Sequence, residues 1–172
     1  MELKKAVFFD YDGVLADTME DMYVAWSYAL NLYKNIRISK SFFFLLEGLT
    51  ARSMAEKLCT KYNFDKRNIE KIIEGKDNYY FKNNKFKINK RVIELIDFLK
   101  NKGMLVGVVS GAPRARIERM MPKSILAKFD AIITSEDVTR GKPDPQPYLI
   151  AIKKLKVKKQ DSIVVENSPL GI

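Results

Sequence analysis

The sequence predicts an α/β protein built on a parallel sheet, and two observations support this prediction. Short apolar runs alternate with helical patterns along the chain, at Ala6–Asp10, Met104–Val109, Asp130–Thr134 and Ser162–Val165. Continuous apolar runs of this length are typical of strands that are covered on both faces, and helical connections join such strands in parallel. The chain has 172 residues, 47% of them hydrophobic, which suffices for one core with a small insert.

Helical patterns fill the segments between the apolar runs. They cover about Met19–Tyr33, Ala51–Tyr62, Lys66–Phe81, Asn89–Asn101 and Gln146–Leu155. Thr18 with Asp21 three residues later predicts a capping box before the first helix. Gly103 is a typical C-terminal signal, and a further helix could begin at Pro113. The first three of these helices follow the first strand and precede the Asn89–Asn101 helix, so they predict a helical insert over the strand ends.

Cysteine and histidine usage limits the classes of chemistry. The only cysteine, Cys59, excludes an internal disulfide and favours a reducing, cytoplasmic environment. The chain contains 0 histidines, which excludes Ser-His triads, Cys-His dyads and histidine-ligated zinc. Met1–Lys5 leads directly into the first strand, so no signal peptide is expected, and no apolar run is long enough for a membrane span.

The chain is strongly basic, with a formal net charge of +10 and a sequence pI of about 9.6. Such a charge favours either an anionic partner or lysines spread over solvated faces. The lysines are scattered and are not interleaved with aromatic residues in one patch. The second interpretation is therefore favoured, and no nucleic-acid partner is expected.

Polar residues with useful chemistry follow the ends of the predicted strands. Asp10 and Asp12 share one face because alternate strand residues point the same way, and Gly13 allows a tight turn after them. One such carboxylate can attack a phosphoryl group while the other moves protons, and both can lie near a divalent metal. Ligands bind at the carboxyl ends of parallel strands, so Ser110, Lys142 and Glu166 are expected to converge on this pair.

Four motifs in this order closely resemble those of the haloacid dehalogenase superfamily. They are Asp10-x-Asp12-Gly-Val-Leu-x-Asp17-Thr18, Val109-Ser110-Gly111, Gly141-Lys142-Pro143-Asp144-Pro145 and Val165-Glu166-Asn167-Ser168-Pro169-Leu170-Gly171. The resemblance is greatest to the phosphatase and phosphohexomutase branch. It implies a Rossmann-like three-layer core over residues 1–17 and 88–172, with a small helical cap over residues 18–87. Relatives usually continue with a further helix and strand, so the C-terminal part of the core is expected to be missing.

The resemblance also implies roles for individual residues. Asp10 is the expected nucleophile, which forms an aspartyl-phosphate, and Asp12 the expected general acid-base. Ser110 and Gly111 are expected to bind the phosphoryl group, with help from N–H groups at the start of the following helix. Lys142 is expected to offset the repulsion between Asp10 and the phosphate.

Further residues are candidates for metal and substrate binding. Mg²⁺ is the implied cofactor, held by Asp10, Asp12, Glu166 and Asn167. Many relatives have an acid where this chain has Asn167, which affects the expected metal affinity more than the reaction. Arg52, in a loop that weakly resembles the substrate-selecting cap loop, and Arg114 are candidates for substrate contact, although each is as consistent with a surface arginine.

Three functions are consistent with these observations. The favoured one is Mg²⁺-dependent hydrolysis of a phosphate monoester, with a small phosphorylated metabolite as partner and no membrane. The second is a phosphosugar mutase of the β-phosphoglucomutase type, which would return the phosphoryl group to another hydroxyl. The third is a binding module with weak catalysis or none. The sequence assigns neither the substrate nor the oligomeric state.

Overall fold

The computed structural model describes residues 5–172, and its centre is a four-stranded parallel sheet. The strands are β1 (Ala6–Phe9), β2 (Leu105–Val109), β3 (Ala131–Ile133) and β4 (Ser162–Val165), in the order β3-β2-β1-β4. The predicted α/β class and parallel sheet are confirmed. Residues 1–4, which include most of the Met1–Lys5 segment and the start of the predicted core, lie outside the described residues.

Helices cover both faces of this sheet, because alternate residues of β1 point to opposite sides. Val7 and Phe9 pack in one cluster with α5 (Lys90–Asn101) and α6 (Arg114–Met120), while Ala6 and Phe8 pack in another with α8 (Gln146–Leu155). A four-residue helix, α7 (Lys123–Leu126), follows α6. The result is three layers, with the sheet in the middle.

A second group of helices lies between β1 and α5. It consists of α1 (Met19–Lys34), α2 (Lys40–Leu45), α3 (Ala51–Tyr62) and α4 (Ile69–Asn83). These helices have a hydrophobic cluster of their own, which includes Trp26, Leu30, Phe43, Leu58 and Ile72. We call this group the helical insert. Its status as a separate cap domain over residues 18–87 stays a prediction.

The chain enters and leaves the helical insert through two neighbouring segments. The N–H of Asp17 donates to the carbonyl of Lys87 at 2.9 Å, and the N–H of Asn89 donates to the carbonyl of Leu15 at 2.9 Å. The two connections therefore run side by side just beyond the end of β1. Both covalent connections between the insert and the sheet are therefore at one place.

The predicted capping box before α1 is wrong. The backbone carbonyl of Thr18 accepts from the N–H of Met22 at 2.9 Å, but the Thr18 side chain caps nothing. Its hydroxyl donates to the carboxylate of Asp12, and the carboxylate of Asp21 accepts from the N–H of Lys85. Thr18 has a φ of −117° and a ψ of −9°, whereas a capping residue usually has extended backbone angles, so its side-chain oxygen is not presented to the N–H groups of the first turn.

The main differences between the predicted and the observed helices are in short elements. The structure contains α2 and α7, which the sequence did not predict, and residues Lys66–Asn68 form a turn of 3-10 helix before α4. The longest helix, α1, has 16 residues. None of the helices within residues 5–172 combines the length and the apolar character needed to cross a bilayer.

Candidate active site

The ammonium group of Lys142 contacts carboxylates from two other predicted motifs at the carboxyl edge of the sheet. Asp10 follows β1 and Glu166 follows β4, while Lys142 lies in the loop before α8. The Nζ atom of Lys142 is 2.8 Å from Oδ1 of Asp10 and 3.0 Å from Oε1 of Glu166. The ammonium and both carboxylates are almost fully buried, so water screens these interactions little. The structure thus brings Asp10, Lys142 and Glu166 together.

Negative charge exceeds positive charge around Asp10. Burial raises the pKa of Asp10 to about 7; the Lys142 ammonium lowers it, and the Glu166 and Asp12 carboxylates raise it. Burial on its own lowers the pKa of Lys142, but nearby Asp10, Tyr148 and Glu166 outweigh burial and raise that pKa above its usual range. Lys142 therefore keeps its charge, and the site can accommodate one more cation.

Ser110 and Gly111 lie beside Asp10 in the same cavity. The hydroxyl oxygen of Ser110 accepts from the N–H of Ala112 at 3.0 Å, which leaves its O–H free to donate elsewhere. The N–H of Arg114, at the start of α6, already donates to the carboxylate of Glu136 at 3.1 Å. Two of the N–H groups expected to help bind a phosphoryl group are thus engaged within the protein.

Asp12 is held by a guanidinium group that the sequence analysis did not single out. Arg116 donates to both carboxylate oxygens of Asp12, with Nη1 3.0 Å from Oδ1, and only 3% of Arg116 is exposed. Its guanidinium carbon lies 5.5 Å from the ring centre of Tyr11 and 5.7 Å from that of Tyr80. Asp12 therefore stands next to the cavity in a fixed orientation.

The side of the site nearest β4 offers oxygen ligands for a metal. The hydroxyl of Ser168 donates to Oε1 of Glu166 at 2.7 Å. Asn167 lies against Gly13, where a Cβ atom would come within 2.3 Å of the Asn167 amide nitrogen. Within residues 5–172, no three acidic, cysteine or histidine side chains gather closely enough to form a metal cluster. Mg²⁺ is nevertheless usually bound by one or two carboxylates together with water and phosphate, and the pair Asp10 and Glu166 fits that requirement.

Two predicted substrate-binding arginines do not reach the cavity. Arg52 is paired with Glu70 and Glu56 on the surface of the helical insert, and its side chain is 64% exposed. Arg114 donates to Asp137 at 2.8 Å and to a backbone carbonyl of β3. Both guanidinium groups are thus directed to carboxylates outside the cavity.

The helical insert supplies the opposite wall of the cavity. The turn between α2 and α3 comes so close that a Cβ atom on Gly111 would lie 2.7 Å from the carbonyl oxygen of Leu49 and 2.8 Å from that of Gly48. Glu47 in this turn lines the cavity, as do Trp26 and Lys76. These residues were not predicted as part of the site. The neighbouring loop resemblance at Gly48–Arg52 was the one signal that could have led to Glu47.

The sequence profile of the family described as "Haloacid dehalogenase-like hydrolase" matches residues 7–172, which includes all four motifs. The chain belongs to this family. The haloacid dehalogenase-like fold accounts for the shared position of Asp10, Lys142 and Glu166 at one edge of the sheet. Membership also supports an enzyme with phosphatase or phosphohexomutase-like activity.

Individual relatives agree with this membership along nearly the whole chain. The "Phosphorylated carbohydrates phosphatase" of Thermotoga maritima is 30% identical over 98% of this chain and 78% of its own length. The "Beta-phosphoglucomutase" of Bacillus subtilis is 29% identical over 98% of this chain and 77% of its own. The solved structure of a hydrolase from Pseudomonas syringae superimposes with a TM-score of 0.85, at 22% identity, over 96% of this chain and 77% of that one. This haloacid dehalogenase-like chain is thus similar to both phosphatases and a mutase.

Proposed function

We propose that this protein hydrolyses a phosphate monoester of a small metabolite, with Mg²⁺ as cofactor. The observation that carries the proposal is the contact of Lys142 with both Asp10 and Glu166, beside the carboxylate of Asp12. A phosphoryl group bound here would meet a nucleophile, a proton carrier and a fixed positive charge. These are the groups that phosphoryl transfer requires, because positioning and charge stabilisation supply most of its catalysis.

Asp10 and Asp12 divide the covalent and proton-transfer steps between them. A carboxylate oxygen of Asp10 attacks phosphorus, the bond to the leaving oxygen breaks, and Asp12 gives a proton to that oxygen. Asp12 can carry this proton only when it is released from its ion pair with Arg116. Asp12 then takes a proton from water, whose oxygen attacks phosphorus of the aspartyl-phosphate. The bond between Asp10 and phosphorus breaks, which releases inorganic phosphate and restores both carboxyl groups.

Lys142 and Ser110 hold the phosphoryl group in this scheme. The ammonium offsets repulsion between the anionic substrate and Asp10, and the hydroxyl donates to a phosphoryl oxygen. Asp10 and Glu166 would hold Mg²⁺, with the amide oxygen of Asn167 and the backbone carbonyl of Asp12 as further ligands. When bound, Mg²⁺ neutralises charge between the attacking carboxylate and the phosphate.

The helical insert acts as a cap over residues 18–87 in this proposal. The cavity between it and the sheet has a volume of about 40 Å³, well below the ~300–1,000 Å³ typical of small-molecule sites. Substrate must therefore enter with the insert displaced from the sheet and react after it returns. Closure excludes water until the leaving group departs. A cytoplasmic location completes the proposal.

The similarity to a beta-phosphoglucomutase keeps a phosphosugar mutase as the second candidate. Both reactions use the same nucleophile, so product analysis separates them. Purified protein is incubated with Mg²⁺ and β-glucose 1-phosphate, and inorganic phosphate and glucose 6-phosphate are measured. Release of phosphate supports the hydrolase, and conversion to glucose 6-phosphate supports the mutase.

A general test uses p-nitrophenyl phosphate with the Asp10→Asn variant as control. Turnover that requires Asp10, disappears with a chelator and returns with Mg²⁺ is the expected result. Turnover equal to that of Asp10→Asn for every phosphate ester would overturn the proposal and favour the non-catalytic binding module.

A further inference from the structure

Glu47 is a buried carboxyl group on the cavity wall that faces the nucleophile. It is 8% exposed and lines the same cavity as Asp10 and Asp12. Its turn is fixed to the sheet by close backbone contact between Gly48 and Gly111. The Glu47 carboxyl therefore lines the cavity that contains Asp10 and Asp12. In the proposed mechanism the phosphoryl group lies against Asp10, so its leaving group extends toward the wall formed by the insert.

The cations around this cavity already have carboxylate partners. Lys142 is shared by Asp10 and Glu166, Arg116 is bound to Asp12, and Lys76 is paired with Asp77. Lys76 also lies over the ring of Trp26, with Nζ 5.4 Å from the ring centre. Among the cavity-lining residues that the structure describes, no cation is left without an acidic partner, whereas Glu47 has no basic one.

The surroundings of Glu47 are also electrostatically negative. Burial raises the pKa of Glu47 to about 8, and the carboxylates of Asp12 and Asp10 raise it further than Arg116 lowers it. A second anionic group on a substrate would enter this same field. It would lose its hydration shell in the closed cavity and gain no unpaired cation in return.

We propose that Glu47 makes the site selective for phosphate monoesters with an uncharged, hydroxyl-bearing leaving group, and discriminates against substrates that carry a second anionic group. This inference rests on the proposed function. A hydroxyl of the leaving group donates to the Glu47 carboxyl, and the C–H face of a polyol packs on Trp26. Bisphosphates, pyrophosphate and phosphorylated carboxylic acids bring a second anionic group into the cavity and are repelled.

The test compares glycerol 3-phosphate with 3-phosphoglycerate. These esters have the same length, and a CH₂OH group in the first replaces the carboxylate of the second. The ratio of their kcat/KM values is measured at pH 9, above the pKa of about 8 at which the Glu47 carboxyl ionises, for the wild-type protein and for Glu47→Gln, which removes the charge but keeps the size. Glu70→Gln is the matched control, because Glu70 is an exposed acid of the insert outside the cavity.

The wild-type protein is expected to favour glycerol 3-phosphate by about tenfold or more, a ratio that corresponds to one buried like-charge contact. Glu47→Gln should reduce this ratio at least about threefold, and Glu47→Lys should reduce it further or reverse it. Glu70→Gln should leave it unchanged. Equal or greater kcat/KM for 3-phosphoglycerate in the wild type, or an unchanged ratio in Glu47→Gln, overturns the inference.

Failure of this inference is distinguishable from failure of the proposed function. If p-nitrophenyl phosphate is hydrolysed in an Asp10-dependent manner but the ratio does not respond to Glu47, only the selectivity role is wrong. If no ester is hydrolysed above the Asp10→Asn control, the phosphatase proposal itself fails, and the selectivity role fails with it. Circular dichroism of each variant verifies that it is folded.

Discussion

Arg116 binds Asp12 through both terminal nitrogens of its guanidinium group, and the two aromatic rings near this group come from different parts of the chain. Tyr11 belongs to the segment after β1, whereas Tyr80 belongs to α4 of the helical insert. The Nη1 atom of Arg116 also lies 3.3 Å from Sδ of Met22 in α1. The guanidinium group that orients Asp12 is therefore covered in part by side chains of the insert. Position of the insert and orientation of Asp12 are linked through one side chain.

Replacing Arg116 is expected to leave the Asp12 carboxylate buried without its cation. Arg116→Met should lower the free energy of unfolding by about 3 kcal/mol or more, as is typical when one partner of a buried ion pair is removed. The double variant Asp12→Asn, Arg116→Met should lose at least about 1 kcal/mol less than the sum of the single losses. Urea titrations of the four proteins measure this coupling.

Arg114→Met provides a control on the same helix. Arg114 and its partner Asp137 are both about one-third exposed, so its loss should cost less than about 1 kcal/mol. Strict additivity of the Asp12 and Arg116 substitutions would mean that the two side chains do not interact energetically.

Lys142 is expected to matter for turnover because its ammonium is the fixed charge between two carboxylates. Lys142→Met should lower kcat for p-nitrophenyl phosphate about 100-fold or more, since loss of one preorganised charge usually has that effect. Lys128→Gln, which removes a lysine that is 30% exposed and paired with Asp97, should leave kcat unchanged. A kcat for Lys142→Met within about twofold of wild type would remove Lys142 from the mechanism.

Gly111 is expected to be needed for closure of the insert. A Cβ atom there would clash with the backbone carbonyl oxygens of Leu49 and Gly48. Backbone atoms cannot move away as easily as the end of a flexible side chain. Gly111→Ala should therefore lower kcat/KM about tenfold by holding the insert away from the sheet. Circular dichroism should show that the secondary structure is retained.

Gly75→Ala is the matched substitution for this experiment. Its Cβ atom would make one ordinary contact, 3.8 Å from that of Ala29, in the interior of α4. We expect unchanged activity and a stability gain of up to about 1 kcal/mol, because alanine favours a helix over glycine. Equal activity of Gly111→Ala and Gly75→Ala would contradict a role for the close contact in catalysis.

The sheet and its polar edge could be predicted because they depend on local patterns. The apolar runs stop at Asp10, Ser110 and Glu166, and parallel pairing then brings these positions to one edge. Contacts made by the insert depend on how two groups of helices pack, which no local pattern encodes. The sequence therefore predicted Arg52 as a substrate-binding residue and did not predict Glu47, which lies five residues earlier.

Helical periodicity could have distinguished the buried Arg116 from the exposed Arg114 in the sequence. Arg114 and Glu118 are four residues apart and 3.9 Å apart in space, a spacing typical of an exposed helix face. Arg116 precedes the fully buried Ile117 and lies on the other side of α6. The helical period could thus have favoured Arg116 over Arg114. The missed helix α2 has no such signal, because Phe42, Phe43 and Phe44 give a continuous run without helical spacing.

Stability should depend on pH through Glu47. Burial raises its pKa from an ordinary value near 4.5 to about 8 in the folded protein. Between these two pH values the folded state keeps a proton that the unfolded state has released. The free energy of unfolding therefore falls as the pH rises from about 4.5 to 8, and the loss is complete above that window.

Glu47→Gln removes this titration and should gain stability relative to wild type as the pH rises. We expect the difference in free energy of unfolding to grow by about 2 kcal/mol between pH 5 and pH 9, less than the full shift in pKa allows. Burial also raises the pKa of Asp10. Because the Asp10 and Glu47 carboxyl groups interact, Glu47→Gln should lower the pKa of Asp10, which adds to the difference in the same direction. Urea titrations at several pH values measure the difference, and Glu70→Gln should show none of this growth. Parallel pH profiles for wild type and Glu47→Gln would mean that the Glu47 carboxyl ionises as readily in the folded chain as in water.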